Sequence, residues 1–214
     1  MSDRAGRIRG RDFAIGITAA SALWTVAFSR KQRFWETMAV GVGSRGAFAL
    51  YANPELRKTR VRPRDLAVGL GTAIGLYGVF QVGDRVARRI VPGGAADIED
   101  IYLRRKLADR RLIAGALALL IAPGEELFWR GLVNTYLAQE LGPVKGNALG
   151  ATLYGAVHLV TRNFTLFGAA GMAGAAWSLQ WLFEGRMASQ VVSHVAWDVW
   201  IFLVQPTMEL PPGT

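Results

Sequence analysis

Six ionisable side chains lie inside apolar stretches of the second half of the chain. A charge at the centre of a bilayer costs roughly 2.5–3.5 kcal/mol on insertion scales, so a residue of this kind needs a partner or a task. Glutamate, aspartate and histidine are also side chains that commonly transfer protons in enzymes. The six candidates for a functional site are Glu125, Glu126, Arg130, His158, His194 and Asp198.

Three of these candidates lie close together on one predicted helix. Glu126 and Arg130 are four residues apart, so they share a face on which they can form an ion pair, and we interpret Glu126 as a structural counter-ion. Glu125 lies about 100° around the helix from Glu126. Because Glu125 has no cation of its own, we expect it to be available as a general base near neutral pH.

The two histidines are the only ones in the chain, and each has a neighbour one helical turn away. His194 precedes Asp198 by four residues, so the carboxyl group can orient the imidazole ring. Tyr154 precedes His158 by the same spacing. The chain has no cysteine, which excludes a thiol nucleophile and a thiolate metal site.

Long apolar runs must position these residues. Of the 214 residues, 51% are hydrophobic, and the mean hydropathy is positive, which favours a membrane protein. Several runs reach the length of roughly 17–25 residues that crosses a bilayer. We therefore predict an all-α fold, a polytopic helical membrane bundle of six to seven transmembrane helices. The runs are residues 13–29, 34–52, 66–83, 112–141, 147–161, 164–183 and 187–205.

Basic residues are concentrated in the first half of the chain. The formal net charge is +9, and residues 1–111 hold 21 of the 25 lysines and arginines. Basic clusters beside helices favour the cytoplasmic side of a membrane and contact with anionic lipids. We therefore expect membrane lipids as partners, and no nucleic acid, because no nucleic-acid-binding signature accompanies the clusters. The clusters are Arg4–Arg11, Arg57–Arg64 and Arg104–Arg111.

The arrangement of the first two runs is less clearly predicted than that of the others. Basic residues at positions 30–33 lie between them and cannot be on the same side as Arg4–Arg11 if the first run spans. Arg45 lies inside the second run, which makes residues 34–52 the weakest predicted span.

Small and aromatic residues in the runs have a simple structural interpretation. Gly41, Gly43 and Gly46 form G-x-G-x-x-G, but no strand precedes them, so a dinucleotide site is not indicated. We interpret them as helix-packing glycines. Four tryptophans at helical spacing are interpreted as interfacial or packing residues: Trp177, Trp181, Trp197 and Trp200.

A polar segment over residues 84–111 divides the chain. Pro92 and Gly93 lie at a break in this segment, which predicts a loop that leads into an amphipathic or extended helix. We therefore predict N-terminal membrane helices over residues 1–111, a helical core that holds the candidate site over residues 112–205, and a short tail over residues 206–214.

Three motifs in the core resemble those of the CAAX protease and bacteriocin-processing family. Residues 125–131 read Glu-Glu-Leu-Phe-Trp-Arg-Gly and are similar to its E-E-x-x-x-R motif. Tyr154 to His158 resembles the F-x-x-x-H motif with tyrosine for phenylalanine, and His194 to Asp198 resembles the H-x-x-x-N motif with aspartate for asparagine. The motifs follow the order of the family, and the resemblance covers roughly residues 112–205.

The resemblance implies an intramembrane endopeptidase that hydrolyses a peptide bond without a covalent intermediate. Glu125 and His158 would activate a water molecule, His194 and position 198 would stabilise the oxyanion, and Glu126 and Arg130 would support the site. The implied partner is a peptide or lipidated-protein substrate. We expect a multi-pass protein of a bacterial-type cell membrane, with no prediction of its oligomeric state.

Asp198 departs from the family pattern. An ionised carboxylate cannot donate a hydrogen bond to an oxyanion and would repel it. Asp198 is therefore expected either to be protonated or to act by orienting His194. The predicted mechanism needs no cofactor, but a zinc site with water in the fourth position is the alternative, formed by His158, His194 and a carboxylate from Glu125 or Asp198.

Two other functional classes remain open from the sequence. A membrane adaptor or immunity protein could keep the fold without turnover, which the aspartate at position 198 makes conceivable. A proton-coupled transporter also carries intramembrane Glu, His and Asp residues. The sequence lacks the repeated halves with interrupted helices that are typical of transporters, so the peptidase is the favoured function.

Overall fold

The computed structural model describes residues 7–207, except for the side chain of Lys31. Helix is the only regular secondary structure in this part of the chain. Arg4 and residues 208–214 of the predicted tail lie outside the described residues. The predicted all-α fold is therefore confirmed for the described part. Its helices are α1 (Gly10–Ser29), α2 (Phe34–Ala52), α3 (Pro63–Ile90), α4 (Gly94–Leu103), α5 (Arg110–Leu141), α6 (Pro143–Ala156), α7 (Phe164–Glu184) and α8 (Met187–Val204).

Local sequence explains where several of these helices begin and end. Pro63 opens α3, and the Asp65 carboxylate accepts a hydrogen bond of 2.8 Å from the Arg62 backbone N–H. Asp109 caps α5 by accepting from two backbone N–H groups of its first turn. The chain leaves α7 at Gly185, whose φ of 58° is accessible to glycine at little cost.

Four helices in the described part are long and apolar enough to cross a membrane, namely α1, α3, α5 and α8. Each of the seven apolar runs is largely helical, but α2, α6 and α7 do not meet the same criteria of length and composition. The count of six to seven transmembrane helices stays a prediction. Helix α1 lies between the basic residues before it and those at positions 30–33, and the orientation of the first two runs in a membrane stays open.

The polar segment over residues 84–111 is more helical than predicted. Helix α3 continues to Ile90, so residues 84–90 are not part of a loop. The predicted break follows at residues 91–93, where Gly93 has a φ of 77°. Helix α4 then leads into a short 3₁₀ turn, Arg104–Leu107, before α5 begins at Arg110.

Helix α5 is irregular at the place where it holds the candidate carboxylates. Pro123 lacks a backbone N–H and crowds the carbonyl four residues before it. Two wide π-helical turns, Leu117–Ile121 and Trp129–Asn134, flank the regular segment Ala122–Phe128. Such turns absorb an extra residue and re-aim the side chains beside them. The direction of the two glutamates therefore depends on these turns.

Helix α2 crosses α5 at a contact between two glycines. A Cβ atom on Gly46 would lie 2.8 Å from the Gly124 Cα, and a Cβ atom on Gly124 would lie 2.7 Å from the Val42 carbonyl oxygen. Only glycine permits backbones to approach so closely. The packing role predicted for Gly46 is confirmed, and the contact brings residue 45 of α2 beside residue 125 of α5.

Both halves of the chain contribute to one apolar core. Helix α3 packs on α8, α6 packs on α7, and α2 packs on α5. Side chains from α1 and α2 join those of α5 to α8 in a single cluster of buried residues. The helices on the two sides of residue 111 pack directly together. The division predicted there therefore stays a prediction about the sequence and not about separate structural units.

The crossing of α2 and α5 gives a first prediction. Gly124→Val should lower the free energy of unfolding by about 1–3 kcal/mol, because the new side chain has no space against Val42. Gly71→Val is the matched control, since Gly71 is exposed on α3 and nothing lies within 4 Å of an added Cβ atom. Thermal unfolding in detergent measures both variants. Equal midpoints for the two would contradict the close crossing.

Candidate active site

Glu125 is buried in the bundle and is paired with an arginine from another helix. Its Oε1 accepts a hydrogen bond of 2.8 Å from Nη2 of Arg45, and the two side chains are only 4% and 5% exposed. The expectation that Glu125 has no cation of its own was wrong. It was based on neighbours within one helix, whereas Arg45 lies 80 residues away in sequence.

Glu126 forms the predicted ion pair and a second contact that the sequence did not predict. Its Oε1 lies 3.2 Å from Nη1 of Arg130 and 2.6 Å from Nδ1 of His194. Arg130 also donates to the carbonyl oxygen of Gly174 in α7. The guanidinium carbon of Arg130 lies 5.0 Å from the ring centroid of Tyr154, within the range of a cation–π interaction. The Glu126–Arg130 pair therefore links α5 to α7 and α8.

His194 is held on two sides. Its ring stacks on Trp177 with centroids 3.8 Å apart, and Nδ1 faces the Glu126 carboxylate. Nε2 lies 3.6 Å from Oδ2 of Asp198, which is an ion-pair distance but too long for a hydrogen bond. Asp198 does lie beside His194 as predicted, but Glu126 makes the shorter contact and fixes the ring more directly.

His158 lies where α6 gives way to a 3₁₀ turn, Val157–Thr161. Its Nδ1 is 2.8 Å from the backbone carbonyl oxygen of Tyr154, the residue one turn before it. Since a carbonyl only accepts, Nδ1 carries the proton and Nε2 of the neutral ring is an acceptor. The ring of Trp24 packs on His158 with centroids 4.1 Å apart. An N-terminal helix thus contacts the predicted site.

A cavity of about 540 Å³ opens between the helices beside both histidines. His158, His194 and Asp198 line it, and most of the remaining wall is apolar or aromatic. Neither Glu125 nor Glu126 is among the described residues that line it. Glu126 nevertheless contacts His194 at 2.6 Å, and Glu125 is the residue before it on α5. The two buried histidines and Asp198 are therefore the predicted site residues that line the cavity.

The zinc alternative does not fit this arrangement. Over residues 7–207, no group of three or more His, Asp or Glu side chains lies close enough together to hold a metal ion. Oε1 of Glu125 is bound to Arg45, and Nε2 of His194 lies 3.6 Å from Oδ2 of Asp198. We therefore derive no chemical step from a metal.

The roles of three residues around the site were not predicted from the sequence. Arg45 was interpreted as a weakness of a predicted span, Trp177 as a packing residue, and Trp24 was not considered. Arg45 could have been found by charge balance, because one arginine and one unpaired glutamate in different apolar runs satisfy each other. The contacts of Trp24 and Trp177 with the histidines have no comparable signal in the sequence.

The buried Glu126–Arg130 pair gives a second prediction. Arg130→Met should lower the free energy of unfolding by about 3–5 kcal/mol, because it leaves a buried carboxylate without its cation. The double variant Glu126→Gln/Arg130→Met should lose less than the sum of the two single losses. A thermal unfolding cycle over the four proteins measures this coupling. Strictly additive effects would show that the two side chains do not depend on each other.

Comparison with known proteins identifies the segment that holds the site. Residues 109–200 match the family model described as type II CAAX prenyl endopeptidase Rce1-like. No curated protein and no solved structure matches the chain. All six predicted site residues lie in the matched segment, while Arg45 and Trp24 lie outside it. The family is one of membrane-associated peptidases. Residues 109–200 are therefore similar to the Rce1-like family of type II CAAX prenyl endopeptidases, in agreement with the resemblance of the three motifs.

Proposed function

We propose that the protein is an intramembrane endopeptidase that hydrolyses a peptide bond with water activated by Glu125 and His158. The observation that carries the proposal is the largely apolar cavity that two histidines line, one of which contacts the buried Glu126 next to Glu125. A cavity of this kind suits a peptide or lipidated-protein substrate. We place the protein in a bacterial-type cell membrane as a multi-pass protein.

Glu125 and His158 can share the activation of water. Oε1 of Glu125 is held by Arg45, while Oε2 has no partner among the described residues. His158 lines the cavity, and Nε2 of its neutral ring is an acceptor because Nδ1 donates to the Tyr154 carbonyl oxygen. The oxygen of the water attacks the peptide carbonyl carbon while one of its protons passes to this pair. The C–N bond then breaks and the same proton goes to the leaving amine.

His194 is the group that we assign to the oxyanion. It lies between the carboxylates of Glu126 and Asp198, which support a proton on each ring nitrogen. Nε2 then donates a hydrogen bond to the developing negative charge. Asp198 acts through His194 in this mechanism and does not face the oxyanion itself. The aspartate is therefore compatible with turnover.

The proposal predicts that Glu125→Gln and His158→Ala each lower the turnover of a cognate peptide by about 10³-fold, since each removes a proton-transfer group. Purified protein in lipid vesicles and a labelled peptide library provide the assay. The folded state is checked by thermal unfolding. The wild-type protein should keep its turnover after thorough chelation. Loss of turnover on chelation, with recovery on adding zinc, would contradict the metal-free mechanism.

The aspartate at position 198 gives a separate prediction. Asp198→Asn should lower kcat at neutral pH by less than about 10-fold, because the amide can still approach His194 and Glu126 still contacts the ring. The two proteins are compared by kcat and KM on one substrate. A loss of about 100-fold or more in kcat would show that the carboxylate is itself required. If neither protein turns over any substrate, the inactive adaptor or immunity protein becomes the better interpretation.

A further inference from the structure

Arg45 is the unusual component of the site because it comes from a part of the chain that the family match does not include. It lies on α2, whereas the match begins at residue 109. Its guanidinium group is 5% exposed and reaches one oxygen of Glu125 at 2.8 Å. The neighbouring Gly46 and Gly124 bring the two backbones together at this place. The position of Arg45 beside Glu125 is therefore built into the crossing of α2 and α5.

Several atoms of the Arg45–Glu125 pair lack partners in the described part of the chain, which does not favour stability. Nε and Nη1 of Arg45 and Oε2 of Glu125 are buried and have no partner among the described residues. Charged groups left partly unpaired in an apolar interior weaken a fold, and replacement of such a pair by apolar residues is often neutral or stabilising. The guanidinium carbon also lies 5.0 Å from the ring centroid of Phe128, which supports the cation from a second side. The geometry favours a role in controlling Glu125.

The contact divides the carboxylate into two different oxygens. Oε1 is held by Arg45, which keeps the side chain in one orientation. Oε2 has no partner among the described residues, and it is the oxygen that we assign to the proton of the attacking water. Glu126, the adjacent carboxylate, differs in that its one bonded oxygen contacts both Arg130 and His194. Oε2 of Glu126 also has no partner among the described residues, so the two glutamates differ in the cation that each one contacts.

We propose that Arg45 is a positioning residue that holds Glu125 ionised and oriented as the general base, so that helix α2 is part of the catalytic unit. This inference rests on the proposed function for its catalytic consequence. The contact itself can be tested without turnover, because dicyclohexylcarbodiimide is an apolar reagent that reacts with protonated carboxyl groups. The carboxyl O–H adds across a C=N bond of the reagent, and mass spectrometry locates the adduct.

The full-length protein is compared as wild type, Arg45→Met and Arg45→Lys, with Glu125→Gln as the control for assignment of the label. Glu125 should remain unlabelled in the wild type and become labelled in Arg45→Met. Arg45→Lys keeps the charge and should leave Glu125 unlabelled. In the peptide assay, Arg45→Met should lower kcat by about 100-fold with little change in KM, as expected for a misplaced base, and Arg45→Lys should recover much of the loss.

Arg186→Met is the matched control. Arg186 directly precedes α8 and pairs with Asp65, a buried carboxylate on α3. The variant should label Asp65 and leave Glu125 unlabelled, with turnover unchanged. Added guanidinium ion should restore part of the activity of Arg45→Ala, which a merely structural role would not allow. The proposal is overturned if Glu125 stays unlabelled in Arg45→Met, or if that variant turns over at the wild-type rate.

The labelling assay tests the control of Glu125 by Arg45, and the peptide assay tests the proposed peptidase function. If the wild type cleaves nothing but labelling follows Arg45, the proposed function fails and the control of Glu125 by Arg45 stands. If Arg45→Met does not fold, Arg45→Lys decides, because labelled Glu125 in that variant would contradict the proposal and unlabelled Glu125 with retained turnover would support it.

Discussion

Two adjacent carboxylates are buried on one helix, and the surrounding bundle has to give each of them a cation. In a medium of low dielectric constant, two such charges repel strongly and neither is stable alone. Glu125 is paired with Arg45 of α2, and Glu126 is paired with Arg130 of its own helix. The first pair fixes α2 against α5. The second reaches α7 through the Gly174 carbonyl and α8 through His194.

Sequence periodicity predicted the features that depend on one helix. The seven apolar runs are largely helical, and Glu126 and Arg130 form the ion pair expected from their spacing. The pairing of Glu125 was predicted incorrectly because its partner is 80 residues away, and helix spacing says nothing about which helices are neighbours. Arg45 was visible as a charge in an apolar run. Its meaning depended on the crossing of α2 and α5, which two glycines permit.

Aromatic rings surround both histidines and were the least predictable part of the site. Trp177 stacks on His194, and Trp24 packs on His158. Trp24 belongs to α1, outside the family segment, so the first helices contribute to the site as well as to the core. Large rings exclude water from around the histidines, which strengthens each electrostatic interaction in the site. The sequence indicated packing for Trp177 but could not identify what it packs against.

The central claim is that this bundle uses Glu125 to cleave peptide bonds in its membrane. The most direct test compares the termini of membrane proteins, by mass spectrometry, in cells that contain either the wild-type protein or Glu125→Ala at equal abundance. The account predicts a small set of new termini that occur only with the wild type and that lie next to an apolar or lipidated segment. Identical sets of termini in the two cell populations would contradict it.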